Sequence, residues 1–377
     1  MEFIQRFAQQ NIRERMFRGK VLIVYGARQV GKTTLVRQVM SEFGHDALYM
    51  NCDEIDIRAS LEDVTSSELK ALVGNKKLVV IDEAQRVRDI GMTLKLFADH
   101  FPDTQVIATG SSSFELSNQT TEPLTGRKYE QHLYPVAAAE LAASESARTA
   151  HRLLERNLVL GMYPEVLLED QQTAIEYIKE VAGSYLYKDI LAFQRLKNPE
   201  ALERLLQALA LQVSSEVSYN ELAKLLGIDK NTVANYIRIL EQAFVIFRVP
   251  PLARNRRNEI KKMRKIYFYD NGIRNALINN FNPLHMRQDA GALWENFLFS
   301  ERVKRNSYGN RSVNMYFWRA HHSGEMDCIE EKDGELEAFE FKYTEEKARL
   351  PKAFADAYPE TSMSVISPQS YWNFVAG

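Results

Sequence analysis

The stretch that most constrains this chain is Gly26-Ala27-Arg28-Gln29-Val30-Gly31-Lys32-Thr33-Thr34, which directly follows the apolar run Val21–Tyr25. It fits the pattern G-x-x-x-x-G-K-[ST] in full, in the strand–loop–helix setting that the pattern requires. Small residues let backbone N–H groups curl around phosphate oxygens, and the amino end of the following helix adds partial positive charge. Lys32 is expected to reach the terminal phosphates and to act in catalysis, and Thr33 to offer its hydroxyl to Mg²⁺. Gly26 to Thr34 are therefore the expected contacts for ATP.

A second apolar run, Leu78-Val79-Val80-Ile81, ends in Asp82 and Glu83. Carboxylates at the carboxyl edge of a sheet lie where such folds bind their ligands. Asp82 is expected to hold Mg²⁺ through water, and Glu83 to orient the water that attacks the γ-phosphate. A third run, Val106-Ile107-Ala108-Thr109, leads into Gly110-Ser111-Ser112-Ser113. This succession resembles the core of AAA+ ATPases, whose last element carries a sensor for the γ-phosphate or the water. Ser111 and Ser112 match that position, with Ser111 the expected catalytic contact; a serine-rich turn without a ligand is the plain alternative. Arg127, in Leu124–Arg127, is a candidate transition-state cation, in cis or toward a neighbouring copy. A solvated loop arginine reads equally well there. Gly161-Met162-Tyr163-Pro164 resembles the Gly-x-Pro element that packs on adenine in some signalling-type ATPases, and it also reads as a helix-capping turn.

Strand-like runs at 21–26, 47–51, 77–84 and 104–110 alternate with helical patterns, which predicts an α/β fold around a parallel sheet. A length of 377 residues implies more than one domain. The expected segments are a P-loop core over 1–135, a helical lid or linker over 136–215, a helix-turn-helix module over 216–284 and a C-terminal α/β domain over 285–377. The net charge of -2 excludes a wholly basic nucleic-acid binder, so any such contact must be local. Cys52 and Cys328 offer neither a disulfide framework nor a zinc spacing, which fits a reducing cytoplasm. The charged amino-terminal segment lacks the apolar core of a signal peptide, and no apolar run suggests a membrane span.

The pieces Gly26–Thr34, Leu78–Gln85, Thr109–Leu116, Leu124–Arg127, Leu133–Pro135, Gly161–Val166, Tyr185–Ile190, Tyr267–Asp270, Trp294–Asn296 and Phe317–Arg319 together resemble the prokaryotic predicted AAA+ ATPases with a C-terminal domain of unknown function. The resemblance implies an AAA+ core, a winged-helix middle and a restriction-nuclease-like end, with a homo-oligomer as one possible assembly. The residues of the middle agree with it. Val217 to Gly227 reads as a short amphipathic helix, Ile228-Asp229-Lys230 as a tight turn, and Asn231 to Leu240 as a second helix. Lys230, Asn231, Thr232, Asn235 and Arg238 are candidate DNA contacts. The basic run Arg254, Arg256, Arg257, Lys261, Lys262, Arg264 and Lys265 is a candidate phosphate grip. A protein partner for this module and a solvated charged face are the competing readings.

In the last segment, Glu295 lies on a helix, Asp327 on a strand, and Glu340 and Lys342 two apart on the next strand. That spacing resembles the nuclease pattern Glu, Asp, Glu-x-Lys. Asp327 and Glu340 are candidate Mg²⁺ ligands, Lys342 a candidate for steadying charge or a water, and Glu295 a candidate fourth member. Alternating phenylalanine and charge also describes any half-buried strand. Glu301, Glu330 and Glu331 read as solvated acids. Three functions compete: an ATP hydrolase driving a DNA- or protein-binding module, an ATP-regulated DNA nuclease, and a non-hydrolysing nucleotide switch.

Overall fold

The computed structural model describes residues 4–110, 124–185, 198–252, 264–320, 324–344 and 347–376. Ser111, Ser112 and Ser113, the part of the basic run from Arg254 to Lys262, and residues 186–190 lie outside the described residues. The chain forms two compact units, Ile4–Tyr134 with Gln242–Phe244, and Pro135–Glu241 with Val245 onward. The expected segments 136–215, 216–284 and 285–377 all fall within the second unit, apart from the three residues 242–244.

The first unit is a five-stranded parallel sheet in the order β2-β3-β4-β1-β5. Its strands are β1 (Val21–Tyr25), β2 (Ala47–Asn51), β3 (Leu78–Asp82), β4 (Gln105–Gly110) and β5 (Lys128–His132). Every residue of β1, β3 and β4 is buried, the signature of strands covered on both faces. The covering helices are α1 (Phe7–Arg15), α2 (Lys32–Ser41), α3 (Ile55–Leu61), α4 (Ser66–Val73) and α5 (Ile90–His100). Thr65 and Glu68 cap the start of α4 reciprocally. This is the α/β core of the P-loop AAA+ type that the motifs predict. The polar edge strand β5, Lys-Tyr-Glu-Gln-His, carries no apolar run and was not foreseen.

The second unit opens with helices, from Ala138–Ser144 to Pro199–Leu211. A short strand β6 (Glu216–Val217), the helices Tyr219–Leu226 and Lys230–Gln242, and the strands β7 (Ile246–Val249) and β8 (Arg264–Phe268) follow, with an antiparallel sheet in the order β6-β8-β7. The helix pair buries Leu222, Leu226, Val233, Tyr236, Ile237 and Leu240, three or four residues apart. The long helix Ala290–Tyr308 then leads into β9 (Asn314–Ala320), β10 (Gly324–Lys332), β11 (Glu335–Phe341) and β12 (Ser362–Ile366). They form a mixed sheet in the order β12-β11-β10-β9. The β10–β11 turn has Asp333 at φ 54° and Gly334 at φ 89°, the two left-handed positions of the tightest hairpin turn. Backbone bonds from Leu252 to the Phe317 carbonyl (2.7 Å) and from Phe317 to the Pro250 carbonyl (3.1 Å) join the strand β7 region to β9.

A polar joint organises this unit. Asn296, fully buried, accepts from the Phe268 amide (2.7 Å) and donates to the Phe268 carbonyl (3.0 Å), so its amide serves β8 as a neighbouring strand would. It also donates to Asn271 (2.6 Å), whose own amide reaches the Leu158 and Leu293 carbonyls. Asp270 accepts from the Met162 amide (2.7 Å) and caps the helix Asn271–Leu277 through Ile273 (3.1 Å). Gly161 passes beside that carboxylate at φ 82°, where an added Cβ would stand 2.1 Å from an Asp270 oxygen. Gly161→Ala should therefore destabilise the chain by about 3 kcal/mol or more through clash and strain. A lowered urea midpoint at unchanged slope would register it; a midpoint equal to the parent's would show that the joint yields.

Candidate functional site

The P-loop leaves the buried end of β1. Gly26 is obligatory for packing, because a Cβ there would meet the Leu133 carbonyl oxygen at 2.3 Å. Lys32 is 5% exposed and its Nζ donates to the carbonyls of Gly26 (3.0 Å) and Ala27 (2.9 Å), which folds the ammonium back over the loop. The helix α2 starts without a side-chain cap, so its first-turn amides are available to an anion. Arg6, also buried, clamps the loop from α1's approach by donating to the carbonyls of Val30 (2.8 Å) and Tyr134 (2.5 Å).

Strand order decides what faces the loop. Because β4 lies between β1 and β3, its last residues stand between the P-loop and Asp82. Asp82 is buried, and three hydroxyls converge on it. Thr33 (2.8 Å) and Tyr49 (2.6 Å) donate to Oδ2, and Thr109 donates to Oδ1. The Thr109 oxygen in turn accepts from the Glu83 amide (3.0 Å). Glu83 sits at a left-handed φ of 54° and its carboxylate accepts from Gln85. Since the Thr33 proton points at Asp82, the lone pairs of that hydroxyl are turned away from the carboxylate. This donor set fits Mg²⁺, which is bound with few protein ligands and several waters and phosphate oxygens.

Two sequence candidates stand apart from this cluster. Arg127 precedes β5, and its carbonyl accepts from the Val21 amide at the amino end of β1, whereas the P-loop leaves the carboxyl end. Its guanidinium pairs with Asp99 at 2.6 Å. Action in cis on phosphates at the P-loop of its own chain is thus ruled out by the length of the strand. Pro164 occupies the first turn of the helix Pro164–Leu168, and the residues before it belong to the Asp270 joint. That joint accounts for the Gly161–Pro164 segment without a nucleotide.

The C-terminal candidates do gather. Asp327 and Glu340 lie opposite each other on β10 and β11, one step beyond the Cys328–Phe339 pair. A bulge against β9 between Met326 and Ile329 falls on Asp327 and Cys328, the usual means of re-aiming a side chain. Asp327 accepts from the Phe341 amide (2.8 Å), and Lys342 pairs with Glu340 at 2.9 Å, leaving the other, buried oxygen of Glu340 without a hydrogen bond. Glu295, from the long helix, accepts from the Tyr267 hydroxyl (2.6 Å) and pairs with Lys265 at 3.0 Å. Lys265 also pairs with Glu325 at 2.7 Å. Burial pushes Asp327 up to about 8, helped by the charges of Glu295 and Glu340. Burial also raises Glu295, against Lys265 and Tyr267. Burial alone would lower the Lys265 ammonium, but Glu295 and Glu325 hold it above its ordinary value. Among the described residues no group of three or more acidic, histidine or cysteine ligands has the arrangement of a metal site.

Lys265 therefore departs from the phosphate grip expected of residues 254–265. It is 3% exposed and grips carboxylates inside the protein. Glu301 and Glu330 are likewise not solvated. Glu301 is 1% exposed, pairs with Lys304 at 2.7 Å and accepts from the Ala138 amide, while Glu330 is 6% exposed and pairs with Arg302. Each acid is tolerated because a buried cation neutralises it. Glu331 is half-buried and accepts from the Tyr316 hydroxyl (3.2 Å). In the helix pair, Lys230, Asn231 and Arg238 are exposed, and Asp229 caps the second helix through the amides of Asn231 and Thr232.

Residues 18–142 match the family model described as "AAA domain", and 290–370 match "Domain of unknown function (DUF4143)". Residues 151–284 match a further domain of unknown function, DUF8612. The uncharacterized protein Rv2008c of Mycobacterium tuberculosis is 27% identical over 345 residues, covering 90% of this chain and 74% of that protein. The uncharacterized protein MJ1544 of Methanocaldococcus jannaschii is 24% identical over 383 residues, covering 95% and 83%. Among solved structures, Cdc6p from Pyrobaculum aerophilum overlaps at 12% identity and a TM-score of 0.30, covering 74% of this chain and 97% of that one, a likeness too loose to argue from. No helix among the described residues is long and apolar enough to cross a membrane.

The rise at Asp327 carries a sign. An unfolded aspartate loses its proton near pH ~4, whereas the folded one keeps it up to about 8. Between those values the folded state binds the extra proton, so its stability falls as pH rises and levels off above. Asp327→Asn, which cannot titrate, should flatten that fall. Urea midpoints taken through this range in chelator would test it, and parallel curves for variant and parent would refute it.

Proposed function

We propose that this chain, an AAA domain followed by a DUF4143 domain, is a Mg²⁺-dependent ATP hydrolase whose nucleotide state drives a DNA- or protein-binding module. The observation that carries the reading is the meeting of Lys32, Thr33, Asp82 and Glu83 at the carboxyl edge of one sheet. Gly26 to Thr34 would hold the phosphates, and Thr33 with Asp82 would hold the cation, which supplies charge neutralisation at the β- and γ-phosphate oxygens when bound. Glu83, steadied by Gln85 and by the bond from its amide to Thr109, would orient the attacking water. Arg127 serves only a neighbouring copy in this scheme, which calls for a homo-oligomer. A chain of this kind, with two free buried cysteines, suits the cytoplasm.

The order helix, short strand, two helices, hairpin supports a winged-helix reading of 216–284. Exposed Lys230, Asn231 and Arg238 are then the side chains offered to DNA, with a protein partner as the competing use. A nuclease-like role for the last segment is the second reading, favoured by the convergence of Glu295, Asp327, Glu340 and Lys342. Mg²⁺-dependent cleavage of plasmid DNA that Asp327→Ala abolishes while ATP hydrolysis persists would establish it.

Lys32→Ala should lose ATP affinity by at least about tenfold with circular dichroism unchanged; equal affinity in a folded variant would remove the site. Glu83→Gln should bind ATP as the parent does but turn over at least ~100-fold more slowly, since a misplaced water forfeits that scale of catalysis. Parent-like turnover would take Glu83 out of the reaction.

A further inference from the structure

Tyr49 has no place in the P-loop motif or in the Asp82-Glu83 pair, yet its hydroxyl is aimed at the centre of the site. It stands on β2, the edge strand beside β3, and it is only partly buried. A phenol there has water available and no need of a protein partner. It nevertheless donates to Asp82 Oδ2 at 2.6 Å, on the same oxygen that Thr33 reaches at 2.8 Å. Its ring lies under the Arg37 guanidinium, 4.9 Å from the centroid, and Arg37 belongs to α2, the P-loop helix. The side chain thus connects the helix that opens the phosphate site, the edge strand and the cation-binding carboxylate.

A carboxylate offers about four acceptor positions. Thr33 and Tyr49 take two on Oδ2, and Thr109 takes one on Oδ1. The remaining position suits one water of a hydrated cation, and the three hydroxyls prevent rotation of the carboxylate toward direct ligation. The phenol is the member of this trio that neither the loop nor the sensor strand supplies.

We infer that Tyr49 is a positioning residue for Mg²⁺, fixing Asp82 so that it holds the cation of a bound Mg·ATP through water. The inference rests on the P-loop reading above. Its role is directed at the metal, because its hydroxyl donates to Asp82, the carboxylate that would hold the cation.

The test is the affinity of a fluorescent ATP analogue for parent and Tyr49→Phe, measured in EDTA and again in excess Mg²⁺. The variant keeps the ring against Arg37 and loses only the hydroxyl. A hydrogen bond to a charged group corresponds to about a tenfold effect. Tyr49→Phe should match the parent in EDTA and forfeit about tenfold of the gain that Mg²⁺ brings. An unchanged Mg²⁺ gain would overturn the role, and an equal loss in EDTA and in Mg²⁺ would show that the residue only packs. A parent that binds the analogue under neither condition would instead refute the P-loop reading, and this inference would fall with it.

Discussion

The hydroxyl cage around Asp82 is the constraint from which the nucleotide site follows. A buried carboxylate is costly unless its oxygens are hydrogen-bonded. Here the donors come from three separate elements, α2, β2 and β4. They converge only because β3 and β1 are both neighbours of β4 in the sheet. If the strand order changed, Thr109 would no longer lie between the loop and the carboxylate. The cage and the parallel topology therefore require each other. The bond from the Glu83 amide to Thr109 extends the same logic to the next residue and accounts for its left-handed backbone.

In the second unit, buried charge is managed with cations. The helix Ala290–Tyr308 hides Glu301, Arg302 and Lys304, as well as Asn296 and Asn306. Such a helix has no solvent face to mark it, so its polar residues must be satisfied one by one. Arg302 meets Glu330 and the Phe374 carbonyl, and Lys304 meets Glu301 and the Val136 carbonyl. Removing one member of such a pair strands its partner, which costs far more than the pair's net contribution.

These differences explain what was legible in the sequence. The P-loop could be read because its chemistry is contiguous: eight consecutive residues, Gly26 to Thr33, do one job. Asp82 and Glu83 could be read because an apolar strand announces them. Tyr49 and Arg6 could not, since their roles exist only once strand order and helix placement bring them beside residues 33 and 128 positions away. Thr109 was read as part of the right strand, and the sensor positions Ser111 and Ser112 lie outside the described residues. Lys265 was misread for the opposite reason. It closes a run of basic residues, and a run of charge suggests solvent, yet β8 turns this lysine inward. Glu301 and Glu330 were misread as surface acids because charges on a helix or a strand do not reveal a second layer packed over them. The strands β5 and β12 escaped notice because edge strands need no continuous apolar run.

The two carboxylate clusters also differ in what they leave for a ligand. Hydroxyl donors from Thr33, Tyr49 and Thr109 hold Asp82 beside a loop built for phosphate. In the C-terminal cluster, Lys265 and Lys342 already sit on Glu295 and Glu340, and Asp327 keeps its proton to about pH 8. A divalent cation entering there would have to displace an ammonium or a proton, whereas the donors that meet Asp82 are hydroxyls. On these grounds a divalent cation is more readily accommodated beside Asp82 than in the C-terminal cluster. The C-terminal cluster ties β8, the long helix and the β10–β11 pair together through Lys265 and Lys342, and leaves one buried Glu340 oxygen without a hydrogen bond.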